Sequence, residues 1–237
     1  MRVFAIIPAA GLGTRMAASA KGKKPAASKQ FTELAGTPIL IHTLRKFAAS
    51  SEVSEICVAL RANEIEGFRV RLEKENLKKK IHLVEGGEHR QESVAQAIAA
   101  IPAVRDDIVL VHDAVRPFVT TEIIRDVIEA ARKHGAAIAG FPAVDTIKEV
   151  QRTADGAVVT ATIPRERIVM AQTPQGFRYE VLKQAFDEAT TDGFMGTDEA
   201  SLVERSGHEV AVVMGSARNI KITTPADLEL AGFYLGK

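Results

Sequence analysis

The sequence predicts a three-layer α/β/α domain whose central sheet is mostly parallel, and three observations support this class. Short runs rich in β-branched residues alternate along the chain with amphipathic stretches. The runs are apolar on both faces, which is typical of parallel strands that helices cover on both sides. The chain has 237 residues, 46% of them hydrophobic, which suffices for one large domain without disulfide bonds. We therefore expect a single domain over residues 1–237.

Apolar runs of four to six residues predict the strands of this sheet. The first run reads Val-Phe-Ala-Ile-Ile and is followed by a loop of small residues. Two further runs near the end of the chain, at residues 209–213 and 219–222, extend the sheet. The earlier strands are predicted at residues 3–7, 55–60, 81–84, 108–111 and 136–141.

Apolar residues at helical spacing predict the helices between these strands. In one of them, Thr120 or Thr121 caps the first turn and Gly135 follows the end of the helix near Arg132. Thr224 and Pro225 mark the start of the last helix, because proline suits the first helical position. The other helices are predicted over residues 38–47, 63–77, 91–101, 179–189 and 197–206.

The alternation of strands and helices breaks at about residues 144–162. Residues 146–150 and 157–163 alternate β-forming and polar side chains around an Asp155-Gly156 pair. An Asp-Gly pair between alternating runs is a strong signal for a β-hairpin. We expect a projecting β-hairpin arm over approximately residues 144–165 that pairs with another subunit.

Composition excludes several classes of protein. The formal net charge of +1 gives no basic footprint for duplex nucleic acid. No uncharged apolar run approaches the ~18–20 residues that a membrane span needs. The one cysteine, Cys57, excludes an internal disulfide and a zinc site built from cysteines. We therefore expect a protein that binds neither nucleic acid nor membrane. We also expect it to be cytoplasmic, since the first apolar run is too short for a secretory signal.

The loop after the first strand predicts a phosphate site, because ligands of open parallel sheets bind beyond the carboxyl ends of the strands. Arg15 and Lys29 add positive charge downstream of this loop. A dinucleotide fingerprint is incomplete, since Met16 occupies the position of its third glycine, and the P-loop pattern is absent. The loop therefore favours a triphosphate over a dinucleotide. The small residues that let backbone N–H groups approach the phosphates are Ala9, Ala10, Gly11 and Gly13.

Asp113 directly follows the predicted strand at residues 108–111, so we expect it at the same edge of the sheet. Mg²⁺ needs only one or two carboxylates besides phosphate oxygens and water. The loops offer no obvious general base, but nucleotidyl transfer depends mainly on positioning and electrostatic stabilisation. A phosphate monoester is already anionic near neutral pH, and the pattern therefore favours transfer to a phosphate acceptor.

Other residues have simpler interpretations. We expect Cys57 in the core, His112 in a structural role, and residues 197–199 as a capped helix start. Lys21, Lys23 and Lys24 are expected to be solvated.

An ordered set of motifs resembles the 2-C-methyl-D-erythritol 4-phosphate cytidylyltransferase family of the non-mevalonate isoprenoid pathway. The match runs from about residue 6 to residue 235. Ser28 stands where the family usually has proline before its catalytic lysine. The motifs are Pro-Ala-Ala-Gly-x-Gly-x-Arg at residues 8–15, Lys-Gln at 29–30, Gly-Gly-x-x-Arg-x-x-Ser-Val at 86–94, Val-His-Asp-Ala-x-Arg-Pro at 111–117, Asp-Thr-Ile-Lys at 145–148, Gln-Thr-Pro-Gln at 172–175 and Asn-Ile-Lys-Ile-Thr at 219–223.

The resemblance implies a Rossmann-like nucleotidyltransferase domain that transfers a cytidylyl group from CTP to methylerythritol phosphate with Mg²⁺, releasing pyrophosphate. It implies that Arg15 and Lys29 stabilise charge at the α-phosphate and that Asp113 binds the metal. It also implies a homodimer in which the arm carries Thr146 and Arg165 into the partner's site. The implied catalytic residues are Arg15, Lys29, Arg165 and Lys221. Nucleotide contacts are implied for Ala9, Ala10, Gly11, Gly13, Gly87, Arg90, Ser93 and Ala114, and acceptor contacts for Asp113, Arg116, Thr146, Arg165 and Lys221.

Two other functions stay open from the sequence. A ribitol-5-phosphate cytidylyltransferase would share most of these motifs. A nucleotide-binding module without turnover would share the phosphate loop, although it would need no metal-binding carboxylate.

Overall fold

Parallel strands dominate the central sheet. The computed structural model describes residues 1–11 and 28–236, within which this sheet has seven strands. In chain order the strands of the described residues are β1 (Val3–Pro8), β2 (Glu33–Leu34), β3 (Thr37–Pro38), β4 (Glu55–Leu60), β5 (Lys80–Glu85), β6 (Ile108–Val111), β7 (Ala136–Pro142), β8 (Ile147–Thr153), β9 (Gly156–Ile163), β10 (Val169–Arg178) and β11 (Ala211–Met214). The order of the seven-stranded sheet is β11-β7-β10-β6-β1-β4-β5, and each neighbouring pair is parallel except the two that include β10.

Both faces of the sheet are buried, as the apolar runs predict. Along β1, Val3, Ala5 and Ile7 belong to one core cluster, whereas Phe4 and Ile6 belong to the other. This division follows from the two-residue period of a strand. The three-layer α/β/α prediction is therefore confirmed.

The helices pack on the sheet in two groups. The helices of the described residues are α1 (Ile39–Ala49), α2 (Ala62–Glu73), α3 (Arg90–Ala100), α4 (Thr121–His134), α5 (Tyr179–Thr191), α6 (Glu199–Arg205) and α7 (Pro225–Leu235). The core cluster that includes Val3 contains residues of α1, α2 and α4, and the cluster that includes Phe4 contains residues of α3, α5 and α6. Thr120 caps α4 through a hydrogen bond from the Ile123 N–H, and Gly135 follows the end of this helix with φ +89°.

β10 is a strand that the sequence pattern does not predict. Its segment reads Val-Met-Ala-Gln-Thr-Pro-Gln-Gly-Phe-Arg, and its proline and polar residues are typical of a loop. The strand tolerates them because its pairing with β7 is irregular between Ala171 and Gln175. β10 lies between β6 and β7 and brings Thr173 to the carboxyl end of β6.

The prediction of a strand over residues 219–222 is wrong, because this segment is a loop. Ile222 is fully buried against α7 in a third cluster, which accounts for its apolar pattern without strand pairing. Helix α2 is shorter than the helix predicted over residues 63–77, because it ends at Glu73.

The predicted hairpin is present as a separate two-stranded sheet of β8 and β9. Most of its side chains are exposed. None of the helices in the described parts of the chain combines the length and the apolar character that crossing a membrane requires.

Candidate active site

A pocket of about 190 Å³ lies beyond the carboxyl ends of β1 and β6. This is the edge where open parallel sheets bind ligands. Segments far apart in the sequence contribute to it because parallel strands all end there. Among the described residues, its lining consists of Pro8, Ala9, Ala10, Gly11, Lys29, Gln30, Arg90, Ser93, Asp113, Ala114, Val115 and Lys221.

Three cationic side chains contact the carboxylate of Asp113. Its Oδ1 is 3.3 Å from Nε of Arg90. Its Oδ2 is 3.2 Å from Nε of Arg116 and 2.9 Å from Nζ of Lys221. Burial raises the pKa of Asp113, but Arg90, Lys221 and Arg116 outweigh burial and hold this pKa well below its usual value. Asp113 is therefore an ionised carboxylate at neutral pH.

Thr173 of β10 fixes the backbone of the loop that carries Asp113. The Asp113 N–H donates to Oγ1 of Thr173 at 3.0 Å, and Oγ1 lies 3.1 Å from Nδ1 of His112. His112 Nε2 lies 3.0 Å from the carbonyl oxygen of Arg116, which can only accept a hydrogen bond. Nε2 therefore carries the proton, and the Thr173 hydroxyl donates to Nδ1.

His112 is consequently a structural residue in this geometry. It is fully buried, and burial lowers its pKa to about 4. The neutral ring accepts a hydrogen bond from the Thr173 hydroxyl and donates one to the Arg116 carbonyl. His112 thereby connects β10 to the loop that carries Asp113.

The loop after β11 supplies the third cation. Lys221 contacts Asp113 directly, and the carbonyl oxygen of Asn219 accepts from Nη1 of Arg116 at 2.7 Å. The Asn219 side chain is fully buried and donates to the Thr173 carbonyl at 2.8 Å. Asn219 therefore joins this loop to β10 and to the Asp113 cluster.

Arg90 enters the pocket from the first turn of α3 and contacts two carboxylates. Besides Asp113, its Nη1 lies 2.5 Å and 2.7 Å from the two oxygens of Glu199. Burial disfavours the charged guanidinium, but Glu199 and Asp113 outweigh this effect and raise the pKa of Arg90. Burial also raises the pKa of Glu199, and Arg90 opposes that shift.

The wall formed by residues 9–11 is held by side chains from outside it. Gln30, which is buried, donates to the Ala9 carbonyl, and Nε of Arg61 donates to the Ala10 carbonyl at 2.9 Å. A Cβ at Gly86 would lie 2.7 Å from Cβ of Ala10, so only glycine allows the end of β5 to approach this wall so closely.

Ser28 anchors the residue beside Lys29. It is buried, and its hydroxyl donates to Oε1 of Glu64 at 2.6 Å. Oε2 of Glu64 is buried and has no hydrogen-bond partner among the described residues. The first turn of α2 therefore supports both sides of the pocket, since Arg61 precedes this helix directly.

The structure brings together most of the residues that the sequence singles out. Arg116 joins the group through its contact with Asp113. Gly87 follows β5 and its carbonyl faces the Ser93 hydroxyl at 3.4 Å, but it is not part of the described lining. Gly13 and Arg15 lie outside the described residues. Those that line the pocket are Ala9, Ala10, Gly11, Lys29, Arg90, Ser93, Asp113, Ala114 and Lys221.

Thr146 and Arg165 are not in the described lining of this pocket. Both are exposed, and they lie at the two ends of the hairpin. Arg165 donates to the Val144 carbonyl at 2.7 Å and thereby stays bonded within its own segment.

Sequence patterns miss Glu199 and the role of Thr173. Glu199 follows the helix cap Asp198, so its acidic character is already explained by the helix start. Thr173 lies in a segment that lacks a strand pattern. The structure supplies the missing signal for Glu199, since an acid that is only 1% exposed needs a cationic partner.

The arrangement can bind an anionic ligand and one hard cation. No group of three or more His, Cys, Asp or Glu side chains in the described part of the chain is placed to hold a metal ion, so a cage built from protein alone is absent there. Asp113 is ionised and lines the pocket, and one carboxylate suits a cation whose remaining ligands are phosphate oxygens and water.

Comparisons with known proteins agree across the whole chain. The family model described as 2-C-methyl-D-erythritol 4-phosphate cytidylyltransferase (IspD) matches residues 3–237. A protein of that name from Acidobacterium capsulatum is 60% identical over 235 residues, covering 99% of this chain and 98% of that protein. One from Solibacter usitatus is 52% identical over 235 residues, covering 99% and 96%.

Solved structures give the same result. The crystal structure of 2-C-methyl-D-erythritol 4-phosphate cytidylyltransferase from Thermus thermophilus is 33% identical, with a TM-score of 0.78 and full coverage of both chains. That of 4-diphosphocytidyl-2C-methyl-D-erythritol synthase from Anaerococcus prevotii is 30% identical, with a TM-score of 0.82, and covers 100% of this chain and 99% of that one.

Proposed function

This chain belongs to the 2-C-methyl-D-erythritol 4-phosphate cytidylyltransferase family, and we propose that the pocket around Asp113 is where it carries out the family's reaction. The enzyme transfers a cytidylyl group from CTP to 2-C-methyl-D-erythritol 4-phosphate, giving 4-diphosphocytidyl-2-C-methyl-D-erythritol and pyrophosphate. The observation that carries the assignment of the site is the ionised Asp113 among Arg90, Arg116 and Lys221.

The reaction needs little covalent help from the protein. An oxygen of the acceptor phosphate forms a bond to the α-phosphorus of CTP, and the bond from that phosphorus to the bridging oxygen of the β-phosphate breaks. The electron pair leaves with pyrophosphate. The acceptor phosphate is largely dianionic near pH 7, since its second pKa is about 6, so no general base is required.

Cationic side chains then have two tasks. Lys29 lines the pocket beside the small-residue wall, where it can stabilise the negative charge that develops on the α-phosphate. Lys221 and Arg116 lie on the other side of Asp113 and suit the acceptor phosphate. Arg15 is proposed to act with Lys29, on the resemblance of its motif alone.

The Asp113 carboxylate fits a divalent cation, and we propose Mg²⁺. Oδ1 accepts from one cation and Oδ2 from two, so Oδ1 keeps a lone pair that no other described residue uses. When bound, such an ion neutralises charge on phosphate oxygens. Arg90, Arg116 and Lys221 keep the carboxylate ionised and ready for this role.

We propose a homodimer in which the hairpin reaches the partner's pocket. Thr146 and Arg165 lie on the hairpin segment, away from the described lining of their own pocket. Exposed apolar side chains accompany them, which supports an interface. These are Val144, Val150, Val158, Val159, Val169 and Met170. A cytoplasmic location is also part of the proposal, because both substrates are highly charged.

Pyrophosphate release tests the function. Purified protein is given CTP with methylerythritol phosphate, ribitol 5-phosphate or glucose 1-phosphate, each with Mg²⁺ and with a chelator. We expect release with methylerythritol phosphate and Mg²⁺ alone. Release only with ribitol phosphate would assign the sister activity, and no release with any acceptor would indicate a binding module.

A complementation assay tests the arm. Arg165→Ala and Lys29→Ala proteins are each expected to be nearly inactive, and mixed dimers should regain part of the activity. If Arg165 acts across the interface, each heterodimer holds one site with both residues intact and one site that lacks both. Absence of any recovery after confirmed subunit exchange would place Arg165 in its own subunit's site.

A further inference from the structure

A second buried carboxylate lies behind the pocket. Glu199 is 1% exposed, and it is not part of the described lining. Its two oxygens lie 2.5 Å and 2.7 Å from Nη1 of Arg90, which does line the pocket. Glu199 can therefore affect a ligand in the pocket only indirectly, through the guanidinium of Arg90.

The backbone around Glu199 is fixed to the central sheet. Gln175 of β10 is buried, and its amide oxygen accepts from the Ala200 N–H at 3.0 Å. Its amide nitrogen donates to Oδ2 of Asp198 at 2.8 Å. Gln175 thus binds the residue before and the residue after Glu199, so this carboxylate has little freedom to move.

Arg90 is shared unequally between its two carboxylates. The contacts with Glu199 are shorter than the 3.3 Å contact between Nε and Oδ1 of Asp113. The stronger pairing draws the guanidinium toward α6 and away from Asp113. In the described parts of the chain, Oδ1 of Asp113 consequently has this long contact alone, whereas Oδ2 contacts Arg116 and Lys221.

We propose that Glu199 is a positioning residue for the nucleotide. It holds the Arg90 guanidinium toward α6 and prevents it from forming a pair of parallel hydrogen bonds with Asp113. This inference rests on the proposed function, because it takes the ligand beside Arg90 to be CTP.

Removing the charge of Glu199 has a definite consequence. With glutamine at residue 199, Asp113 is the one carboxylate that remains in contact with Arg90 among the described residues. Arginine pairs best with a carboxylate through two parallel N–H bonds. Arg90 should therefore rotate toward Asp113. This movement takes a cation away from the nucleotide, and it also covers Oδ1 of Asp113, the oxygen with fewer described contacts.

Binding of CTP measured by calorimetry in Mg²⁺ buffer, without an acceptor, tests this role. We expect Glu199→Gln to raise the Kd for CTP about tenfold, a typical coupling between residues in direct contact. In an Arg90→Gln background the same change should alter Kd by less than about twofold, because no guanidinium remains to be positioned. Glu199→Asp keeps the charge with a shorter reach and should weaken binding less than Glu199→Gln.

A matched control separates positioning from stability. Asp107 is also a buried carboxylate that pairs with an arginine, Arg2, but it precedes β6 at the opposite edge of the sheet. Asp107→Asn should lower the free energy of unfolding and leave the Kd for CTP unchanged. If Glu199→Gln does not fold, Glu199→Asp in the same two backgrounds provides the coupling.

The outcomes are distinct. Unchanged CTP binding in folded Glu199→Gln, or an equal loss with and without Arg90, would overturn the positioning role. Failure of the wild-type protein to bind CTP would overturn the proposed function and this inference with it.

Discussion

Replacing Thr173 with valine tests the hydrogen bonds that fix the Asp113 loop. Thr173 is 4% exposed, and valine has nearly the same shape, so the change removes a hydroxyl without opening a cavity. Two groups lose their partner: the N–H of Asp113 and Nδ1 of His112. The hydrogen bond from Asn219 to the Thr173 carbonyl is kept, because it uses the backbone.

The expected cost follows from these two groups. A buried polar group left without its hydrogen bond costs about 1–3 kcal/mol. We therefore expect Thr173→Val to lower the free energy of unfolding by about 2–6 kcal/mol. The loop that carries Asp113 also loses its attachment to β10, and a displacement near 1 Å at a reacting site can lower activity about 100-fold.

Urea denaturation measures the first effect, and kcat/KM for CTP with methylerythritol phosphate measures the second. Thr190→Val is a matched control, since the Thr190 hydroxyl donates to the Phe186 carbonyl within α5, outside the described lining of the pocket. This control should change the free energy of unfolding by no more than about 0.5 kcal/mol and keep full activity. A Thr173→Val protein as stable and active as the control would refute the role assigned to this hydroxyl.

Three further predictions follow from single contacts. Burial lowers the pKa of His112 from 6.5 to about 4, so the unfolded chain binds more protons between these values. The free energy of unfolding should fall by up to about 3 kcal/mol as pH drops from about 6.5 to about 4, and His112→Asn should lose this slope in urea titrations. Ser28→Ala removes the hydrogen bond to Oε1 of Glu64 and leaves both oxygens of this carboxylate without a hydrogen-bond partner among the described residues. We expect the free energy of unfolding to fall by about 1–3 kcal/mol in urea denaturation, and an unchanged midpoint would contradict this. Gly86→Ala places a Cβ 2.7 Å from that of Ala10. We expect the free energy of unfolding to fall by about 1–3 kcal/mol and the KM for CTP to rise. Wild-type kinetics would show instead that residues 9–11 move aside at little cost.

Local signals account for the part of the fold that sequence could predict. The strand at Val3–Pro8 and the helix at Thr121–His134 carry their own periodicity and caps, so their neighbours in space are not needed to recognise them. β10 lacks such a signal, since its Thr-Pro-Gln-Gly segment is stabilised by pairing with β6 and β7 on both sides. Tertiary pairing overrides local preference there.

The same distinction holds within the site. Asp113 and Lys29 could be recognised because each lies in a short motif beside a strand or loop of defined chemistry. The partners that set their environment lie far away along the chain: Thr173 is 60 residues from Asp113, and Glu199 is 109 residues from Arg90. No local pattern encodes such a pairing, so only the fold shows it.

The charge of the site also differs from that of the chain. The whole protein has a formal charge of +1, but in the described ion-pair cluster around Asp113 three cations, Arg90, Arg116 and Lys221, face two carboxylates, Asp113 and Glu199. This local excess of one positive charge is smaller than the negative charge of an acceptor phosphate alone, about −1.5 to −2 at pH 7. Binding both substrates therefore requires further positive charge at the same edge of the sheet. Lys29 in the lining supplies part of it, and the divalent cation that we propose on Asp113 would supply the rest.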